Sequence, residues 1–309
     1  MADCTCISKY ANTGTPSCIG ALILASRKLI MVPKYTDAGI LNKVSLPTTL
    51  DNTFFSGKVN NVDRSVRWYP LPKHVNAEVA KEASVYETFN DGSKKFIHEG
   101  VSSFKCTYAG KQPSFLSILK SGRCTDMAVY IVDKAGALVG YTNGEENVLY
   151  PFALNANTID AIYKWATDTT GSNIEYSFEF DTDQKDEYVA KIDSADMVSV
   201  NLLNLDGLID AKVAYTSTGA TAMVVKLFAV GGSVATPVPI TGLTAGSFVL
   251  YNVTDSLAVT ILTAVESTTA KGTYTLTYAS QTVSDVIRLT PTLTGFDFTN
   301  VIATTSIVV

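Results

Sequence analysis

Apolar residues in this chain fall mostly at every second position or in short unbroken runs, and turn-forming residues separate them. Both patterns predict β-strands. The plainest alternation is Ile174-Glu175-Tyr176-Ser177-Phe178-Glu179-Phe180-Asp181. It puts Ile174, Tyr176, Phe178 and Phe180 on one side and Glu175, Ser177, Glu179 and Asp181 on the other. Asp126–Asp133 reads as a buried strand, turned by Lys134-Ala135-Gly136 into Ala137–Tyr141. Ala21–Leu24 and Leu29–Val32 read as two strands joined by the polar Ser26-Arg27-Lys28, with a turn at Thr36-Asp37-Ala38-Gly39. Arg64–Pro72 is extended, because Pro70 and Pro72 hold the residues before them in β or polyproline geometry. Glu78–Phe89 fits a helix or a strand, and Ala83–Phe89 alternates as a strand does. Asn90-Asp91-Gly92-Ser93 then turns the chain into Lys95-Phe96-Ile97, which predicts a hairpin, and Val101–Tyr108 is a further strand.

Helical spacing is confined to two places. Ile159, Ile162, Tyr163 and Ala166 recur at i, i+3, i+4 and i+7, predicting a helix over Thr158–Ala166 capped by Asn155 or Asn157. A shorter helix fits Ser114–Lys120. Past Asp196 the strand candidates crowd together: Val198–Leu205, Lys212–Thr216, Ala222–Ala229, Val238–Ile240, Ser247–Val253, Ala258–Val265, Thr273–Tyr278 and Val286–Leu289. The fold class expected is mainly β. Residues 1–197 form an antiparallel sandwich or barrel with one principal helix. Residues 198–309 form a second sandwich, after a short hinge near 194–200.

Composition sharpens that division. Every Cys, His and Trp lies before residue 200, and the stretch beyond carries only four basic residues, Lys212, Lys226, Lys271 and Arg288. Such a stretch packs a core but has few groups for chemistry. The 309 residues suit two domains, and 46% hydrophobic against 17% charged residues suits two cores. A net charge of −5 with dispersed basic residues argues against binding nucleic acid through its phosphates. The polar N-terminus shows no secretory signal, and Ile19–Val32, broken by Ser26-Arg27-Lys28, falls short of a membrane span. The expectation is a chain made and folded in a cytoplasm, with no membrane partner.

The candidate chemistry is thin. Cys4, Cys6 and Cys18 lack the spacing of common zinc sites and a nearby fourth ligand, so with Cys106 and Cys124 they read as ordinary thiols. Asp181–Glu187 has the acidity of a calcium loop but lacks its glycine and terminal glutamate, and Lys185 interrupts it. His74 and His98 stand beside no nucleophile signature. Neither an enzyme nor a cofactor is expected.

Two resemblances add direction. Pro237–Thr244, Phe248–Asn252 and Lys271–Tyr278 resemble immunoglobulin-like or fibronectin-III-like modules of phage virion proteins. In Gly272-x-Tyr274-x-Leu276-x-Tyr278, Tyr274 takes the place of a corner tyrosine that hydrogen-bonds the preceding turn. The Cys pair and core Trp of antibody domains are missing. In the order of its features the first domain is similar to the tail tube (major tail) proteins of tailed bacteriophages. That resemblance implies hexameric rings stacked into a hollow tube that conducts DNA without binding it specifically, in contact with other tail or neck proteins. It also implies assembly in the host cytoplasm and a C-terminal module on the exterior. In such a tube Glu175, Glu179 and Asp181 would line the lumen with negative charge, so that a polyanion slides past; the plainer reading is a solvated sheet face. The competing function is a capsid- or tail-attached surface protein whose second module binds the host cell surface.

Overall fold

A computed structural model describes residues 23–182, 186–232, 237–298 and 304–307. Its first part contains β1 (Ser26–Pro33), β2 (Val44–Ser45), β3 (Tyr69–Pro70), β4 (Val75–Lys81), β5 (Val85–Thr88), β6 (Lys94–His98), β7 (Ser102–Ala109), β8 (Met127–Asp133), β9 (Leu138–Tyr141), β10 (Val148–Leu149), β11 (Phe152–Ala153), β12 (Asp160–Lys164), β13 (Asn173–Glu179) and β14 (Val189–Ile192). Helices α1 (Asn52–Val59) and α2 (Pro113–Lys120) belong to the same part. One sheet runs β14-β9-β8-β1-β3, with β11 beside β8, and a second runs β12-β13-β7-β4.

The two sheets share a core. Leu29 and Met31 of β1 and Val129 and Ile131 of β8 meet Phe104, Tyr108, Tyr176 and Phe178 of the second sheet. The first sheet is also covered on its other face, where Ile30, Val32, Tyr130 and Val132 pack with Phe55 of α1, Trp68 and Leu202. A sheet buried on both faces has no reason to alternate, and this explains the unbroken apolar run of β8. The second sheet is covered on one face only, so β13 alternates buried and half-buried residues along its length.

Three local expectations fail for identifiable reasons. Thr158–Ala166 is not a helix: a 3₁₀ turn at Ala156–Thr158 leads into β12, which pairs with β13 from Asp160↔Ser177 to Lys164↔Asn173. Ile159 and Ala161 are buried while Ile162 is half exposed, which is a two-residue period. β-branched and aromatic residues beside a long free strand edge favour the sheet over the helical spacing. Ser26-Arg27-Lys28 is no joint between strands but part of β1, and Lys28 is fully buried. Its ammonium donates to the carbonyls of Leu203 (3.2 Å) and Leu205, and burial pushes its pKa down to about 8. Val198–Leu205 is not a strand either. It holds a 3₁₀ turn at Leu202–Asn204, and Asn201 Oδ1 accepts the Leu203 N–H. The short helix near Ser114 forms as α2, whereas α1, capped by Asp51 accepting the Phe54 N–H at 2.8 Å, had no counterpart in the expectation.

The second part holds β15 (Ile209–Thr218), β16 (Ala222–Gly232), β17 (Pro237–Pro239), β18 (Phe248–Asn252), β19 (Leu257–Val259), β20 (Ile261–Glu266), β21 (Thr273–Tyr278), β22 (Val286–Pro291), β23 (Phe296–Asp297) and β24 (Thr304–Ser306). Sheets β20-β21-β16-β15-β23 (with β17 beside β16) and β19-β18-β22-β24 enclose one core containing Val225, Leu227, Leu250, Leu276 and Leu289. The single strand expected at Ala258–Val265 is two, because the chain changes sheets at Thr260: β19 pairs with β18 and β20 with β21.

The connection between the parts is packed rather than loose. Met197 and Leu202 are buried in the first part's core, and Lys73 donates to Asn204 Oδ1 at 3.1 Å. A side chain at Gly207 would meet the Pro70 carbonyl at 2.9 Å. Arg67 and Asp297, both buried, form an ion pair at 2.6 Å, with Arg64 3.4 Å from the same carboxylate. Arg67→Ala removes the nearer cation from a buried carboxylate that Arg64 alone holds less closely, and is expected to destabilise the chain by about 3 kcal/mol, read by chemical denaturation. Asp297→Asn in the same background should recover part of the loss, and no recovery would contradict this account of the pair.

Candidate assembly surface

The open face of the second sheet carries Asp160, Ile162 and Lys164 from β12, Glu175, Ser177 and Glu179 from β13, Lys105 from β7 and Glu78 from β4. The register aligns Glu175 with Thr107, Ser177 with Lys105 and Lys105 with Glu78. The Glu175 carboxylate accepts from Lys164 and lies 3.5 Å from Lys105. The Lys164 hydrogen bond, helped by the Lys105 charge, holds its carboxyl below the usual range. Asp160 pairs with Arg123. With three cations beside its carboxylates this face is close to neutral. Asp181 does not join it: past Glu179 the chain bridges Leu154 through Phe180, and the Asp181 carboxylate turns to Lys34 at 3.1 Å. The structure thus brings Glu175 and Glu179 together and separates Asp181.

Both outer strands of this sheet lack a strand on their far side among the described residues. At the β12 edge Trp165 is 80% exposed, with the Tyr163 ring edge-on at 5.3 Å. Beyond β4, strands β5 and β6 form a two-stranded ribbon that pairs with no other sheet. Every residue of both strands is exposed, including Tyr86 (53%), Phe96 (49%) and Ile97 (54%). Tyr86 and Phe96 are cross-strand partners, rings edge-to-face at 5.8 Å. The ribbon's root is tight. Glu82 N–H donates to the Val101 carbonyl at 3.0 Å, and a Cβ on Gly100 would lie 1.9 Å from the Glu82 carbonyl oxygen.

A cavity of about 220 Å³ opens at this root, between the two sheets. Its walls include Leu24, Val79, Val101, Val139, Phe152 and Phe180. Carboxylates of Glu99, Asp181 and Asp186 stand at it, with Lys81 bound to Glu99 (2.7 Å) and Asp186 (2.5 Å). Asp181, Thr182 and Asp186 of the acidic segment read against a calcium site line the cavity. The segment's Asp181 and Asp186 are held by lysines, and residues 183–185 lie outside the described residues. No family model and no curated protein matches this chain.

Other residues singled out in the sequence take structural places. The Tyr274 hydroxyl, fully buried, donates to the Ile240 carbonyl at 3.0 Å and accepts the Leu243 N–H at 3.3 Å. It ties its strand to the crossing segment at 240–243, not to the turn just before it. That turn is held by Glu266, whose carboxylate accepts the N–H groups of Gly272 and Gly242, each at 3.1 Å. Those two bonds, Gly272 first, keep its carboxyl below the usual range. The sequence offered no sign of this role, because it depends on two distant backbone amides. Burial pushes the Cys106 thiol up to about 12, and Cys124 is exposed. Cys4, Cys6 and Cys18 lie outside the described residues. No group of three or more His, Cys, Asp or Glu among the described residues is arranged to hold a metal ion, and no helix there is long and apolar enough to cross a membrane. His98 is exposed, its Nδ1 2.8 Å from the Glu99 carbonyl, while His74 is enclosed.

Proposed function

We propose that this protein is a structural subunit that assembles with copies of itself into rings, and that the rings stack into a phage tail tube. The observation that carries the reading is the β5–β6 ribbon. A two-stranded hairpin on its own is marginal in water, and this one exposes aromatic residues on a chain that has a well-filled core elsewhere. A neighbouring surface is what such a ribbon lacks.

The sheet edges support the same reading. β4 and β12 bound one antiparallel sheet, and contact between unlike edges of successive copies is head-to-tail, which closes into a ring when the rotation allows. The destination in a virion, the passage of DNA and the contacts with other tail or neck proteins come from the sequence resemblance alone, and the principal helix that resemblance counted at 158–166 is strand β12 in the structure. The near-neutral open face adds little to them. Within this reading the second part is an immunoglobulin-like module on the ring's exterior, fixed in place by Arg67 and Asp297.

Sedimentation velocity over a wide range of protein concentration tests the proposal. Assembly predicts a small species that gives way to large ones as concentration rises. A single small species at every concentration and salt level would overturn it.

A further inference from the structure

We propose that Asn143 is a site of spontaneous covalent modification, losing its side-chain amide to the backbone nitrogen of Gly144 and becoming aspartate or isoaspartate. The inference stands apart from the ring-forming reading and holds for the isolated chain.

The sequence supplies the reacting pair. Asn143-Gly144 is the one place in the chain where glycine follows asparagine. A glycine has no Cβ to obstruct the approach of its nitrogen to the preceding side chain, and its backbone turns freely into the geometry of ring closure.

The fold leaves the pair free to react. Both residues are exposed in the loop between β9 and β10. Gly144 has φ +76°, and nothing lies within 4 Å of where a Cβ would stand on it. Its N–H and the Asn143 side chain have no hydrogen-bond partner among the described residues. The loop is pinned on either side of them instead. The Thr142 N–H donates to the Tyr188 carbonyl at 2.8 Å, the Tyr150 hydroxyl to the Glu145 carboxylate at 3.0 Å, and the Leu46 N–H to the Asn147 carbonyl at 2.7 Å. A change at the tip should therefore leave the fold intact.

The two Asp-Gly pairs, which can close the same ring, are held. The Gly92 N–H donates to the Phe89 carbonyl at 2.9 Å, and the Asp91 carboxylate accepts the Ser93 N–H at 2.8 Å and its hydroxyl at 2.6 Å. In Asp206-Gly207 the glycine is pressed against the Pro70 carbonyl.

The reaction needs only water. The Gly144 nitrogen gives its proton to solvent and attacks Cγ of Asn143. The new N–Cγ bond closes a succinimide ring as the bond from Cγ to the amide nitrogen breaks, and that nitrogen takes up a proton and leaves as ammonia. Water then opens the ring. Attack at Cγ gives aspartate, and attack at the main-chain carbonyl gives isoaspartate, whose backbone runs through the former side chain. Either product adds one negative charge to a chain of net charge −5.

The test incubates dilute full-length protein at pH 7 and pH 9, then reads its peptides by mass spectrometry and isoaspartate by enzymatic methylation. Asn143 is expected to convert about tenfold faster than any other asparagine, the difference that about 1.4 kcal/mol of extra barrier imposes. Conversion should be faster at pH 9, where the nitrogen loses its proton more readily. A synthetic peptide spanning residues 139–148 should convert at a rate close to that in the folded chain. Asn143→Gln should fold like the parent and yield no isoaspartate at this position. A folded chain that keeps the Asn143 amide while the peptide loses its own would overturn the proposal, as would equal conversion at several asparagines.

Discussion

Changing Tyr86 and Phe96 together to Lys should leave a folded chain that no longer assembles. Each aromatic buried in a contact contributes about 1.5–3 kcal/mol, so losing two from one interface weakens it by on the order of a hundredfold or more. Neither ring belongs to the buried clusters of the chain, and both are about half exposed. The thermal midpoint of the dilute double variant should therefore match the parent. Assembly measured by light scattering should vanish over concentrations where the parent scatters. Unchanged scattering would remove the ribbon from the interface, and a lowered midpoint would show that it supports its own chain.

The second large effect is acid lability centred on His74. Its ring is fully buried at the start of β4, edge-on to Phe104 and Tyr108, and Nε2 lies 3.0 Å from the Ser26 hydroxyl. Nδ1 has no hydrogen-bond partner. Burial, with the nearby Arg27 charge adding to it, lowers its pKa to about 4. An unfolded histidine titrates near 6.5, so between about pH 6.5 and 4 the unfolded chain binds the extra proton. Stability present above pH 6.5 should fall through that window, and about 3 kcal/mol should be gone below pH 4. The depressed carboxyls of Glu175 and Glu266 lose their contributions only as pH falls below the usual carboxylate range, so the upper part of the window belongs to His74. Denaturation at pH 5 and pH 7 should show a difference in the parent that His74→Gln removes. An equal difference in both would assign the lability elsewhere.

The ribbon and His74 also show what the sequence made legible. The hairpin could be read directly, because Asn90-Asp91-Gly92-Ser93 fixes a turn by local chemistry alone. So could β8 and β13, where burial on two faces and on one face leave different patterns. Residues whose role depends on distant chain were hidden. His74 shows in the sequence only that it stands beside no nucleophile signature, and its burial appears once Phe104 and Tyr108 close over it. Lys28 reads as a break in an apolar run until the carbonyls of Leu203 and Leu205 supply its partners. Asp181 keeps the parity of Glu175 and Glu179 in the sequence, yet the strand changes partner at Phe180 and takes the carboxylate to Lys34. The 159–166 segment satisfied a helical period and a strand period together, and only the free edge of β13 decided between them.

The central claim, that this chain builds rings and tubes from copies of itself, is tested most directly by negative-stain electron microscopy of the concentrated full-length protein beside its Tyr86→Lys, Phe96→Lys variant. The account predicts hollow rings or tubes from the parent and discrete small particles from the variant. Discrete small particles from the parent, across protein and salt concentrations at which it remains folded, would contradict it.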